Sequence, residues 1–318
     1  MIDWIKTALV FPGQGSQEVG MGADLVQAFP EAAETFDLAD DILGFSLSDL
    51  CFDGPAEALN DTYNTQPALY VMGLALLRVL QAAFPPDQHP AFVAGHSLGE
   101  FTALTAAGAV GFADGLRLVR ERGRLMNQAG QRAPGAMAAI LGLDADVVNE
   151  ICAQASQQTG KALVLANDNC PGQLVISGDK EALDAALPIA TQRGAKRVMP
   201  LTVSVASHSP LMEVITAEFR GALSRTPFGA PAVPVIGNVH AAPLDTAAAI
   251  RAELGDQLTS TVRWTESVQT MREHGVELFI ELGPKDVLNG LIKRIDRAAE
   301  RVTLNSADSV RTFLAAHI

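Results

Sequence analysis

Two spacings of apolar residues take turns along the chain. A continuous apolar run at 7–11 predicts a buried strand, and short segments at 91–94, 234–237 and 277–281, the last apolar between two glutamates, predict further strands. Between them apolar residues recur every three or four positions over 22–39, 66–84, 98–107 and 112–129, which predicts helices with one buried face. In 66–84 the stripe is Leu69, Met72, Leu76, Val79 and Leu80, and Pro85-Pro86 ends it. Strand and helix alternate through this first half, the order of a parallel sheet covered by helices.

The texture changes around Ala133-Pro-Gly135. Strands predicted at 136–142, 162–167, 173–177 and 196–201, with helices at 144–156 and 180–192, follow the order β-α-β-β-α-β of a small ferredoxin-like unit. Segment 203–208 then leads as an apolar strand into a helix over 210–224. Helices over 246–252 and 264–274 follow, and a last helix comes after loop 282–284. The organisation expected is a large subdomain built from 1–132 and 199–318, with a small subdomain, 133–198, inserted between its halves.

The second strand runs into Gly95-His-Ser-Leu-Gly99, and a helix begins directly behind it. This is the Gly-x-Ser-x-Gly pattern of a nucleophile elbow. A turn that tight leaves no space for side chains at 95 and 99, and it lifts Ser97 to a helix N-terminus whose free N–H groups favour a developing oxyanion. Ser97 is therefore the candidate nucleophile; the plain alternative is a glycine-flanked turn.

A serine hydroxyl needs a base, and histidine titrates in the right range. Of six histidines, His89, His274 and His317 lie in a loop, at a helix end and at the C-terminus, and read as structural or solvated. His96 adjoins Ser97 but points away across the elbow, as a shaping residue. His240 is a weak candidate at a strand exit. His208, in Ser207-His-Ser-Pro210 between a strand and a helix start, is the leading base. No acid completes a triad, because Glu213 and Glu218 stand one or two turns into a helix and read as surface groups; a backbone carbonyl in that role makes a dyad. Arg122 shares a helix stripe with Leu118, Leu125 and Ala129, away from solvent. Two readings stay open for it: an arginine paired with Glu100 or Glu121, and a two-pronged receptor for a carboxylate.

Composition narrows the class. A 318-residue chain that is 48% hydrophobic can bury a sizeable core. No run approaches about 18 uncharged apolar residues and no signal-peptide pattern opens the chain, so no membrane partner and a cytoplasmic location are expected. Cys51, Cys152 and Cys170 are scattered without a Cys-x-x-Cys pair, which predicts neither disulfides nor a metal site. A net charge of −13 excludes nucleic acid as a general partner and requires a local basic patch for any anionic one.

Phe11-Pro-Gly-Gln-Gly-Ser-Gln17, Gly95-His-Ser-Leu-Gly-Glu100, Arg122 in Glu-Arg-Gly, Ser207-His208 and Glu281-Leu-Gly-Pro284 together resemble the malonyl-CoA:acyl-carrier-protein transacylase family, in order and over nearly the whole chain. The family is related to polyketide synthase acyltransferases. The resemblance implies an α/β fold with an α/β-hydrolase-like large subdomain, carrying a parallel sheet and nucleophile elbow, plus the inserted ferredoxin-like small subdomain. It implies that Ser97 takes malonyl from malonyl-CoA and yields it to the phosphopantetheine thiol of acyl carrier protein, with no bound cofactor. By the same resemblance His208 is the base and Arg122 pairs with the malonyl carboxylate. The N–H groups of Gln14 and Leu98 form the oxyanion hole, and the main-chain carbonyl of Gln257 orients the histidine. Segment 167–172 resembles the family's Asn-containing loop, with Cys170 where serine or alanine is more usual.

Ala206 stands where many fatty-acid members have proline, and Val205-Ala-Ser-His208 partly resembles polyketide acyltransferase motifs. The partners implied are a coenzyme A thioester and an acidic carrier protein, met by a monomer. Docking that carrier on an acidic chain calls for cations near the site, and Lys196, Arg197, Lys293 and Arg294 are the candidates. A trans-acting polyketide synthase acyltransferase shares the mechanism. A carrier-protein thioester hydrolase is the rival from another class, and Arg122 counts against it because such relatives tend to lack that arginine. A non-catalytic carrier-binding module is opposed by the joint presence of Ser97, His208 and Arg122.

Overall fold

A computed structural model describes residues 2–201 and 205–318. The strand expected to begin at 203 thus falls partly outside the described residues. The described strands are β1 (Thr7–Phe11), β2 (Phe92–Gly95), β3 (Ala136–Leu141), β4 (Leu163–Cys170), β5 (Gln173–Gly178), β6 (Arg197–Pro200), β7 (Val235–Ile236), β8 (Pro243–Leu244), β9 (Val262–Arg263), β10 (Leu278–Leu282) and β11 (Glu300–Leu304). They form two sheets.

The first sheet has the order β11-β10-β1-β2-β7-β8 and is parallel except for β8, which runs antiparallel to β7. β1 is flanked on both sides and every residue in it is buried, which is why its sequence is an unbroken apolar run. The second sheet has the order β6-β3-β5-β4-β9. Its first four members are antiparallel and form the β-α-β-β-α-β unit, with the unit's first and third strands central. β9, from a distant part of the chain, adds a fifth strand parallel to β4. The bond from Thr261 Oγ1 to the Leu165 carbonyl, 2.6 Å, strengthens that seam.

Several elements differ from their expected form. The period over 22–39 is two helices, Ala23–Ala28 and Pro30–Leu43, because Phe29 precedes proline and takes an extended conformation, φ −135° and ψ 118°. The helix expected from 66 begins at Thr62, capped by Asp61, and carries Pro67 inside it. Proline has no N–H for the Tyr63 carbonyl, so Arg120 Nη1 donates there instead, at 2.8 Å. This helix, Thr62–Ala83, is long and apolar enough to cross a membrane by length and composition, although Arg78 and several polar residues interrupt it, so it is not an uncharged apolar run of that length. It is a core helix, since 78% of its most apolar window is buried within the protein. The helix Val287–Ile295 is not the last, for β11 and a helix over Ala307–His317 follow it. The polar residues Glu300, Arg301 and Thr303 mask β11, an edge strand with one open side.

Candidate active site

β2 ends at Gly95 and the helix Leu98–Ala106 starts three residues later, so the chain reverses through Ser97. Ser97 takes φ 52° and ψ −103°, a conformation that costs about 1–3 kcal/mol outside glycine. The side chain of Asn238, just past β7, holds that strain from both sides. Its Oδ1 accepts from Ser97 N at 2.6 Å and its Nδ2 donates to the Gly95 carbonyl at 2.7 Å. The elbow glycines answer to close approach: a Cβ on Gly95 would meet the Gly99 carbonyl carbon at 1.9 Å, and one on Gly99 would meet the Phe11 oxygen at 2.0 Å.

His208 reaches this serine. Its Nε2 lies 2.8 Å from Ser97 Oγ, and its Nδ1 lies 2.8 Å from the main-chain carbonyl of Gln257. A carbonyl only accepts, so Nδ1 carries the proton and the bare Nε2 accepts from the serine hydroxyl. Burial, and after it the charge of Arg122, hold the His208 pKa down at about 3, which keeps the ring neutral. Among the described residues no carboxylate touches the ring. Glu218 pairs with Arg132 at the surface instead.

Arg122 is 1% exposed and lies beneath the serine. Its Nη1 donates to Gln66 Oε1 at 2.9 Å, and its Nη2 donates to Gln257 Oε1 at 2.9 Å and to Ser97 Oγ at 3.1 Å. Neither acidic partner considered from the sequence forms an ion pair with it among the described residues; Glu121 is held by Arg124. Burial lowers the Arg122 pKa to about 10, so the group stays cationic at neutrality. A buried cation with amide and hydroxyl neighbours, and no carboxylate in contact, thus stands beside the Ser97 oxygen.

Ser97, Arg122 and His208 line a cleft of about 560 Å³ that also includes Gln14 and Leu98. Among the described residues the main-chain N–H of neither meets an acceptor, while Thr62 Oγ1 donates to Gln14 Oε1 at 2.7 Å and steadies that loop. His96 does turn from the serine; its Nε2 lies 2.8 Å from Oδ1 of Asn169, a residue of β4 on the opposite wall. Cys170 is buried, and burial pushes its thiol pKa up. His89, His240 and His274 are exposed and none lines the cleft. An apolar cavity of about 190 Å³ by Trp4, Leu77 and Phe84 lies apart; His89 lines it, and none of Ser97, His208, Arg122, Gln14 and Leu98 does. Among the described residues no cluster of His, Cys, Asp or Glu could hold a metal ion.

The four basic candidates are exposed. Arg294 donates to Gln173 Oε1 at 2.6 Å and to the Pro171 carbonyl at 3.0 Å, on the β4–β5 turn. The Lys196 side chain lies along Gly142, whose N–H donates to the Gly172 carbonyl at 3.0 Å. Lys196 and Arg294 thus border the same turn, and Gln173 at its end lines the cleft. Two residues of the site escaped the sequence reading. Asn238 had a usable signal, a polar residue just past an apolar strand, whereas Gln66 had only a polar position on a helix whose period begins there.

An acyl transferase domain model matches residues 8–309. The malonyl CoA-acyl carrier protein transacylase of Haemophilus influenzae is 44% identical over 312 residues, covering 97% of this chain and 99% of that protein. The corresponding protein of Escherichia coli K12 is 45% identical over 307 residues, covering 96% and 98%. Among solved structures, an acyl carrier protein S-malonyltransferase from Vibrio cholerae superposes with a TM-score of 0.93 at 44% identity, covering 97% and 99%. A malonyl-transacylase in complex with a holo type II polyketide synthase acyl-carrier protein gives 0.94 at 43%, covering 98% and 100%.

Proposed function

Because this chain belongs to the acyl transferase domain family, and within it to the malonyl CoA-acyl carrier protein transacylases, we propose that it carries malonyl from coenzyme A to a carrier protein on Ser97. The observation behind this reading is one oxygen with two neighbours: Ser97 Oγ sits 2.8 Å from a bare imidazole nitrogen and 3.1 Å from a buried guanidinium.

In the first half-reaction His208 Nε2 takes the hydroxyl proton as Oγ attacks the thioester carbonyl, and the N–H groups of Gln14 and Leu98 receive the oxyanion. Collapse breaks the C–S bond, and His208 returns the proton to the leaving coenzyme A thiol. In the second half the phosphopantetheine thiol gives its proton to His208 and attacks the Ser97 ester; the bond from Ser97 Oγ to the acyl carbon breaks and His208 returns the proton to Oγ, which regenerates the serine. The Gln257 carbonyl keeps the ring in the tautomer both halves require. Arg122 pairs with the free carboxylate of malonyl, which would otherwise be buried without a counter-charge.

The cleft lies between the first sheet, of a large subdomain spanning 1–132 and 199–318, and the second, built mainly by a small subdomain, 133–198, whose Asn169 faces the elbow; β6 runs two residues past that boundary and β9 joins from the large subdomain. Closing those walls around the thioester excludes water and protects the ester. One chain supplies every group named, so the proposed chemistry calls for no residue from a second copy. Free, buried Cys51, Cys152 and Cys170 suit a reducing cytoplasm.

Lys196, Arg197, Lys293 and Arg294 receive the acidic carrier or the phosphates of its prosthetic arm at the cleft rim. Reversing the charge of all four is expected to lower kcat/KM for carrier protein by about 10- to 100-fold, with acyl-enzyme formation from malonyl-CoA changed less than about three-fold. Unchanged carrier kinetics would remove them from the interface. Comparing holo carriers of fatty-acid and polyketide systems in the same assay decides which pathway is served, a choice kept open by the complex with a polyketide carrier. Release of free malonate in place of malonyl-carrier would favour the hydrolase instead.

A further inference from the structure

Glu100 occupies the first turn of the helix behind the elbow and is fully buried. One of its oxygens, Oε2, accepts two bonds: from Asn238 N at 3.1 Å and from Gln257 Nε2 at 2.9 Å. Those two partners hold the two halves of the dyad. Asn238 clasps the elbow on either side of Ser97, and Gln257 orients His208 through its carbonyl. Gln257 Nε2 also donates to the Ser97 carbonyl at 3.0 Å. Two acceptors therefore take both N–H groups of that amide, and its oxygen is left facing Arg122.

We infer that Glu100 is a positioning residue that seats both nucleophile and base, through Asn238 and Gln257, by the placement of Oε2 and not by negative charge. The inference rests on the reading of Ser97 and His208 as the reacting pair. Three observations separate placement from charge. Glu100 forms no ion pair with Arg122 among the described residues; hydrogen bonds connect the two only through Gln257, and the charge of Arg122 is the smallest of the influences on the Glu100 pKa. Its second oxygen, Oε1, has no partner there, nor has Oε2 of the neighbouring buried Glu253. Burial, and after it the charge of Glu253, push the Glu100 pKa up, so the ionised form is the disfavoured one. A glutamine at this position supplies the same acceptor in the same place.

Single-turnover acylation by malonyl-CoA, with kcat expressed per titrated active site, tests the inference in three variants. Glu100→Gln is expected to keep kcat within about five-fold of the parent, because the acceptor is retained. Glu100→Asp keeps the acid but withdraws Oε2, and kcat is expected to fall by about 100-fold while KM changes less than about three-fold. A purely structural role would reduce the number of titrated sites and leave kcat per site unchanged. Should Glu100→Asp not fold, Asn238→Ala removes one of the two arms and is expected to lower kcat per site by at least about 30-fold. Loss in Glu100→Gln as deep as in Glu100→Asp would show that charge matters and overturn the inference. Parental kcat in Glu100→Asp or in Asn238→Ala would overturn it as well. If all these rates fall because Ser97 never acylates even in the parent, the dyad reading fails and not this inference alone.

Discussion

Replacing His208 by alanine is expected to slow acylation of Ser97 by about 10⁴- to 10⁶-fold while KM for malonyl-CoA stays within a few-fold of the parent value. The split follows from geometry. His208 Nε2 contacts only the hydroxyl that must lose its proton, whereas Arg122 and the cleft walls that hold the acyl group remain in place. The same environment dictates the pH profile. With the imidazole held near pKa 3 by burial and by Arg122, kcat/KM on the acid side should stay flat from pH 8 down to about 5 and fall only well below that, with no inflection near the ordinary histidine value of 6.5. Stability takes the matching sign. The unfolded chain protonates this histidine below about 6.5 and the folded chain does not, so stability is fully present above that pH and declines as pH falls toward 3. Urea midpoints measured at neutral and mildly acid pH, parent against His208→Gln, would show the variant losing part of that decline.

The second large effect is selective. Arg122→Ala should lower kcat/KM for malonyl-CoA by about 30- to 4,000-fold, the equivalent of the 2–5 kcal/mol that a buried charge loses with its partner, and change acetyl-CoA turnover less than about five-fold. In the parent the guanidinium is a buried cation whose neighbours are Gln66, Gln257 and the reacting hydroxyl, none of them a carboxylate. An incoming malonyl carboxylate completes that pairing, and an acetyl methyl cannot. Rates measured for both thioesters on each protein check the ratio. An equal fall for the two would mean that Arg122 serves Ser97 or the fold and not the acyl carboxylate.

Much of this site is readable in the chain because its parts are local. Gly95 is dictated by close approach to Gly99 within one turn, while Gly99 is dictated by β1 passing at Phe11; an apolar strand before Ser97 with a helix behind it states the rest of the geometry outright. His208 is found by its place between a strand and a helix start. What the sequence conceals is long-range: Asn238 clasps the elbow across 141 positions, and Gln257 meets His208 through its main chain, which no residue type signals. Arg122 shows the boundary well. Helical spacing places it on a buried face but cannot choose between an internal acid and an external carboxylate; the structure pairs Glu121 with Arg124 and leaves Glu100 joined to Arg122 only by way of hydrogen bonds through Gln257. In the fold, proline misleads twice in opposite senses. Pro30 splits a helix because Phe29 must extend, while Pro67 is tolerated because Arg120 satisfies the freed carbonyl. β9 and β11 are hidden by brevity and by polar edge residues, so the small sheet has a fifth strand and the chain ends one strand and one helix beyond its expected close.

The claim on which the account depends is that malonyl rests on Ser97 between donor and acceptor. Rapid quenching after mixing with malonyl-CoA, followed by peptide mass mapping and a chase with holo carrier protein, tests it directly. The account predicts one malonyl per chain on the peptide containing Ser97, none in Ser97→Ala, and its quantitative passage to the carrier thiol. Malonyl on another residue, or transfer to the carrier that proceeds at the parental rate in Ser97→Ala, would contradict it.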